Sequence, residues 1–148
     1  MSTVTAAVTR NVAAPADVVY RCIADYRVHH PKFLPPAFSG FEVEEGGVGE
    51  GTIVRFDVTA GGRKRAYRMQ IAEPEPGRVV RETDSESSLV STYTVTPLGD
   101  GAQVRLETTW NGAGGIGGFF ERKFAPAAMR KIYEDTLARL EEYARSQR

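Results

Sequence analysis

The feature that most constrains this chain is the alternation running through its middle. Between residues 38 and 110, short runs rich in β-branched and aromatic residues recur at even intervals, each closed by a break rich in small, turn-forming residues. The runs cover 38–45, 52–58, 65–73, 78–84, 89–97 and 102–110, and the breaks read GGVGEG, AGGR, PEPG, SES and LGDG. Breaks this short join neighbouring strands as hairpins, whereas a parallel crossover needs a dozen residues or more. The pattern is an antiparallel meander.

Parity within the runs sorts the two faces. Thr52, Val54, Phe56 and Val58 stand opposite Ile53, Arg55 and Asp57. Tyr67, Met69 and Ile71 stand opposite Arg68 and Gln70, and Ala102, Val104, Leu106, Thr108 and Trp110 opposite Gln103, Arg105, Glu107 and Thr109. One face is apolar and the other wet, as in a sheet covered on one side only. In the run 78–84 the facing of Arg81 and Glu82 stays open, and an inward charge there would be a functional clue.

The flanks supply the cover. Val4, Ala6, Val8 and Val12 share one parity and predict a further strand. Pro15 suits a first helical turn, and Val18, Val19, Cys22, Ile23 and Tyr26 follow at helical spacing. HHPKFLPP, from His29 to Pro36, stops that helix, with a short second helical turn around 32–34. From Gly118 the tail reads as one long helix with Met129, Ile132, Tyr133, Leu137, Leu140 and Ala144 on its apolar face; Pro126 kinks it or marks a restart near Ala125. The expected fold is α+β: a curved seven-stranded antiparallel sheet, one or two short helices after the first strand, and a long C-terminal helix across the concave face.

One helix covers only part of seven strands, and the inner face mixes hydroxyls (Tyr67, Ser91, Tyr93, Thr108) with apolar side chains. Each buried hydroxyl needs a partner. An apolar pocket with a few orienting polar groups would use them; a filled core in which they bond to one another or to backbone is the alternative.

The whole chain of 148 residues has the length of one domain, 1–148. Lys+Arg and Asp+Glu both number 19, so there is no net charge to attract nucleic acid or an anionic membrane in general. The lone Cys22 allows no internal disulfide. With no signal-peptide pattern and no membrane-length apolar run, the expectation is a soluble cytoplasmic protein.

Motif chemistry is sparse. Gly112, Gly114 and Gly117 spell G-x-G-x-x-G inside NGAGGIGGFF, with Asp135 downstream. A dinucleotide site needs that turn at the first strand of a parallel unit, with the acid at a second strand's end. Here the match follows the last strand and Asp135 falls mid-helix, so the glycines read as a hinge between strand and helix. His29 and His30 are adjacent and do not easily share an ion; no metal site and no cofactor are expected. No nucleophile elbow or Cys/His/Asn series is present. The basic cluster GGRKR (61–65) with Arg68 reads as a solvated hairpin tip, the alternative being a contact for an anionic ligand tail or headgroup.

Five segments carry a family resemblance: VAAPADVVYRCIADY, VGEGTIVRF, EPEPGRVV, STYTVTPLGDGAQVRLETTW and FFERKFAPAAMRKIYEDTLARLEEYA. Together they resemble the START-like superfamily (SRPBCC; the polyketide cyclase/dehydrase and lipid-transport group), with its helix-grip fold. The resemblance implies a hydrophobic cavity between sheet and C-terminal helix and a polyketide-, lipid- or isoprenoid-like ligand. Expected ligand contacts are Val54, Phe56, Tyr67, Met69, Tyr93 and Thr108 on the strands. Trp110, Phe120, Phe124 and Ile132 are expected at the entrance and helix, with Phe119 beside them. Cyclases of this group move protons on a folded polyketone. The resemblance therefore makes Tyr67 and Tyr93 candidate donors to a carbonyl, and Asp25 or His29 candidate proton acceptors near the cavity mouth. Three readings stand side by side: a non-catalytic carrier, a cyclase/aromatase-type enzyme, and an interaction module without a ligand.

Overall fold

The computed structural model describes residues 3–112 and 125–147. Its elements are β1 (Thr3–Val12), α1 (Ala16–Ala24), α2 (His30–Phe33), β2 (Phe38–Glu45), β3 (Ile53–Ala60), β4 (Arg63–Glu75), β5 (Val79–Asp84), β6 (Val90–Leu98), β7 (Gly101–Asn111) and α3 (Ala125–Gln147). The strands form one seven-stranded antiparallel sheet in the order β1-β7-β6-β5-β4-β3-β2. Among the described residues only the β1–β7 pairing joins strands distant in sequence.

Turn chemistry sets the register. Ala60 pairs with Arg63, leaving Gly61 and Gly62 as a two-residue loop with φ of 59° and 79°. Two successive positive φ values match the twist of the flanking strands and favour glycine at both places. The hairpin is consequently tighter than the sequence suggests, and β3 and β4 run up to the loop. Register shifts in β2 and near the end of β4 mark bulges, which bend the sheet.

The parity reading holds on the concave face. Val54, Phe56, Val58, Met69, Ile71, Val80, Tyr93, Val95, Val104 and Leu106 are all buried, whereas Arg55, Gln70, Arg81, Gln103 and Arg105 are exposed. Helix α3 lays Tyr133, Thr136, Leu137, Leu140 and Ala144 against that face. Their spacing returns every three or four residues, one stripe of a helix. Burying each leucine contributes roughly 1.5–3 kcal/mol. Residues 118–124, which the sequence reading includes in the same helix, lie outside the described residues.

The second helical turn starts earlier than expected. His30 is its first residue and Pro31 follows. A proline in the first turn removes a backbone N–H that has no intrahelical partner in any case. The result carries the His30 side chain inward: it is only 3% exposed.

Candidate functional site

Against the concave face lies a cavity that touches α2, six of the strands (β2 to β7) and α3. Its lining includes His30, Phe38, Phe56, Tyr67, Met69, Glu82, Ser91, Tyr93, Met129 and Tyr133. The enclosed void is about 20 Å³, whereas the whole depression, counting space open to solvent, comprises about 430 Å³. The enclosed part has room for about one water molecule. The sheet is thus more nearly filled than the sequence suggests.

The polar groups on this lining fall into two sets. The first is the pattern of a filled core: Ser91 Oγ lies 2.6 Å from Thr108 Oγ1, and Thr108 Oγ1 is hydrogen-bonded to the Tyr133 hydroxyl. These hydroxyls satisfy one another across β6, β7 and α3.

The second set is centred on Glu82. Strand β5 alternates Val80, Glu82 and Asp84 inward, and all three are buried. The Tyr26 hydroxyl donates to Glu82 Oε2 at 2.6 Å. His30 Nε2 lies 3.8 Å from the same oxygen. The imidazole stacks on Tyr26 with centroids 4.2 Å apart and meets the Tyr93 ring edge-on at 5.7 Å. His30 Nδ1 is 2.7 Å from the Ile23 carbonyl oxygen. A carbonyl only accepts, so the proton sits on Nδ1 and Nε2 presents its lone pair toward Glu82.

Burial dominates the ionisation of this set. Desolvation pushes the Glu82 carboxyl up to about 7, against the lowering effect of the Tyr26 hydrogen bond. Desolvation also holds His30 down at about 4, against the raising effect of its bond to Ile23. The pair is therefore most stable with both members neutral. Burial raises the Tyr93 phenol well above its ordinary value, and the nearby Glu82 adds to that. Asp84, two residues along, is tied into the β5–β6 turn. It accepts from the Arg68 N–H at 3.0 Å and from the Ser87 hydroxyl at 2.6 Å.

Of the residues expected from sequence, Phe56, Tyr67, Met69 and Tyr93 line the cavity. Val54 and Thr108 are buried beside it, and Ile132 and Trp110 are partly buried against the core. Phe119, Phe120, Phe124 and the glycine hinge lie outside the described residues. Asp25 and His29 are placed elsewhere. The Asp25 carboxylate accepts from the N–H groups of Arg27 and Val28, at 3.1 and 2.9 Å. His29 Nδ1 is 2.7 Å from the Tyr143 hydroxyl, and neither residue lines the cavity. In the basic cluster Lys64 pairs with Asp57 at 3.7 Å and Arg68 with Glu44 at 2.7 Å. Sequence reasoning missed His30, Tyr26 and Tyr133 as polar lining or support. Among the described residues no group of His, Cys, Asp and Glu is placed to hold a metal ion.

This fold defines a helix-grip protein. The chain belongs to the polyketide cyclase / dehydrase and lipid transport family, which matches residues 3–145. It is similar over 98% of its length to the KanY protein, with 38% identity, 99% of that chain covered and a TM-score of 0.87. TTHA0849 from Thermus thermophilus aligns at 25% identity, covering 97% of this chain and 98% of the other, with a TM-score of 0.78. The Zhui aromatase/cyclase from Streptomyces sp. R1128 shares the fold at 20% identity and a TM-score of 0.75, over 97% and 94% of the two chains. No match was found among curated proteins.

Proposed function

We propose that this protein binds a small hydrophobic or aromatic molecule between its sheet and α3, as a carrier or binding protein. The observation that carries the reading is Glu82, a carboxyl buried at 6% exposure among aromatic and aliphatic side chains of the cavity. A dry core gains nothing from a carboxyl that an apolar residue of similar size would not supply, since burying it is costly. An apolar pocket that must orient a ligand does gain from one. The family, described by both lipid transport and cyclase/dehydrase activity, supports the same reading. Native mass spectrometry of the protein purified from its own host should reveal a bound small molecule of unchanged structure. Absence of any bound species there, together with no hit in a screen of aromatic and lipid compounds, would overturn the reading.

A second reading is an enzyme of the cyclase/aromatase type. The convergence of Glu82, His30 and Tyr93 on one cavity favours it, because a carboxyl that titrates near neutrality is suited to proton transfer. Tyr93→Phe and Glu82→Gln would then lower turnover of a poly-β-ketone while leaving its binding largely intact. Retention of full turnover in both variants excludes this reading.

A further inference from the structure

The two edges of the sheet are built differently. Strand β2 is blunted: its pairing with β3 shifts register twice, Gly40 has a positive φ of 62°, and Glu42, Glu44 and Glu45 place charge along it. Bulges and charges of this kind keep a second chain from pairing with an edge. Strand β1 lacks such devices. It pairs with β7 without a shift from Thr3↔Asn111 to Val12↔Ala102, contains neither Gly nor Pro, and carries one charge, Arg10, which is engaged by Glu141 of α3 at 2.9 Å. Among the described residues no strand pairs with the other side of β1. Helix α3 meets the end of the strand, where Glu141 also accepts the Ala13 N–H at 2.8 Å. Toward the strand's middle an open groove of about 390 Å³ separates the two elements, lined by residues 7–10 of β1 and by Arg130, Glu134 and Leu137 of α3. Arg130 and Glu134 are exposed, and neither is ion-paired among the described residues.

We propose that this edge docks a second copy of the chain: two β1 strands pair antiparallel across a two-fold axis at Ala7, so that the sheet of one copy continues into that of the other. The proposal is independent of the ligand-binding reading. The free stretch is 4–10, because beyond it α3 holds the strand, and Ala7 is its midpoint. Antiparallel pairing about that residue sets side chains of the same face opposite one another. On the outer face Thr5 of each copy then meets Thr9 of the other, a favourable cross-strand pair, with the two Ala7 methyls between them. On the concave face Val8 meets Ala6, which buries a valine that is only half-buried in the single copy. The charges select the partner. Helix α3 runs in the direction of β1, since its 130–137 part faces residues 7–10 and Glu141 faces Arg10 and Ala13. The axis therefore sets the two helices antiparallel, and Arg130 of each copy opposes Glu134 of the other. A patch holding one cation and one anion is complementary to itself, as a two-fold contact requires. A partner of one charge sign would be attracted by one of these groups and repelled by the other.

The test is sedimentation velocity across the micromolar range at low salt, on the full chain and on surface variants. The wild type should pass from monomer to dimer as its concentration rises. Ala7→Lys places like charges opposite one another on the axis and should weaken the dimer about tenfold. Arg130→Glu and Glu134→Arg should each weaken it by about the same factor, and the two together should restore it, since the swap recreates both ion pairs. Ala7→Cys should form a disulfide-linked dimer on oxidation, whereas Ser39→Cys on β2 should not; Cys22 is buried and takes no part in either. That comparison reads the edge directly where Ala7→Lys fails to fold. A monomer at every concentration overturns self-pairing and leaves the β1 edge to a different protein. A dimer that persists in Ala7→Lys, or one that the double charge reversal does not restore, also overturns it, because the copies then meet through another surface.

Discussion

At the scale of single residues, Glu82 and His30 act as one unit. In the unfolded chain near pH 5.5 the glutamate is ionised and the histidine protonated; in the fold both are neutral. Folding moves a proton from one to the other without changing the net charge. The signs of the two contributions are opposite. Glu82 has its folded value raised, to about 7, so its contribution is fully present below the unfolded carboxylate value and is lost as pH climbs through 7. His30 has its folded value lowered, to about 4, so its contribution is present above the unfolded imidazole value and is lost as pH falls through 4. Between roughly pH 4.5 and 6.5 the two slopes cancel. Glu82→Gln removes one of them. The stability of that variant relative to wild type should therefore rise by roughly 3 kcal/mol between pH 4.5 and 7.5 and level off above. Urea unfolding across that range measures it, and a flat difference would show that Glu82 titrates in the fold as it does in water.

The same residues mark where the sequence was legible. Period-two alternation is strong in β3 and β4, and by itself it assigns Phe56, Tyr67 and Met69 to the concave face. It is weak in β5, where Val79, Arg81 and Thr83 alternate with Val80, Glu82 and Asp84 and neither set is plainly apolar. The facing of Glu82 is decided by its neighbours, Ile71 across on β4 and Ser91 across on β6. His30 carried no local signal, since Pro31 advertises only a helix break and its burial depends on Tyr26, Tyr93 and Glu82 arriving from elsewhere in the chain. The resemblance makes Asp25 and His29 candidate proton acceptors near the cavity mouth. The turn after α1 instead commits the Asp25 carboxylate to its own backbone and sends His29 to α3.

At the scale of elements, α3 has two functions along one face. Toward its N-terminal end Met129 and Tyr133 touch the cavity; further on Leu137, Leu140 and Ala144 are fully buried in the core. The far half is also latched at the surface: Glu141 accepts from the Ala13 N–H at 2.8 Å and from Arg10 at 2.9 Å. Substitutions in the two halves should therefore differ. Leu137→Ala leaves a void in close-packed surroundings and should cost about 2–5 kcal/mol of stability. Met129→Ala, at a partly exposed position beside existing space, should cost less than half of that and enlarge the cavity. Thermal unfolding and the affinity for 2-acetylnaphthalene give both readings. The division is wrong if the two variants lose equal stability, or if Met129→Ala binds the probe more weakly than wild type.

At the scale of the whole molecule, under the proposed binding function the size of the void sets how a ligand would enter. An apolar cavity that takes up benzene measures about 150 Å³, well beyond the roughly 20 Å³ enclosed here. A bicyclic aromatic cannot enter until walls move apart. The walls are unequal: the strands are locked by continuous pairing from β1 to β2, whereas α3 is held by side-chain packing and the Glu141 latch. Separation of the N-terminal part of α3 from the sheet is the smaller disruption. The ligand then selects an open form that the free protein populates rarely, and its apparent affinity is reduced by that fraction. The consequence is kinetic. In stopped-flow fluorescence the observed rate for 2-acetylnaphthalene should saturate as its concentration rises, with the same plateau for 2-isopropenylnaphthalene, because opening precedes either encounter. Met129→Ala should raise the plateau by removing an α3 side chain that lines the cavity. A rate that grows linearly with concentration for both compounds, at a bimolecular constant of about 10⁵–10⁷ M⁻¹s⁻¹, would mean that the cavity admits ligand without prior opening and that the grip of α3 does not control access.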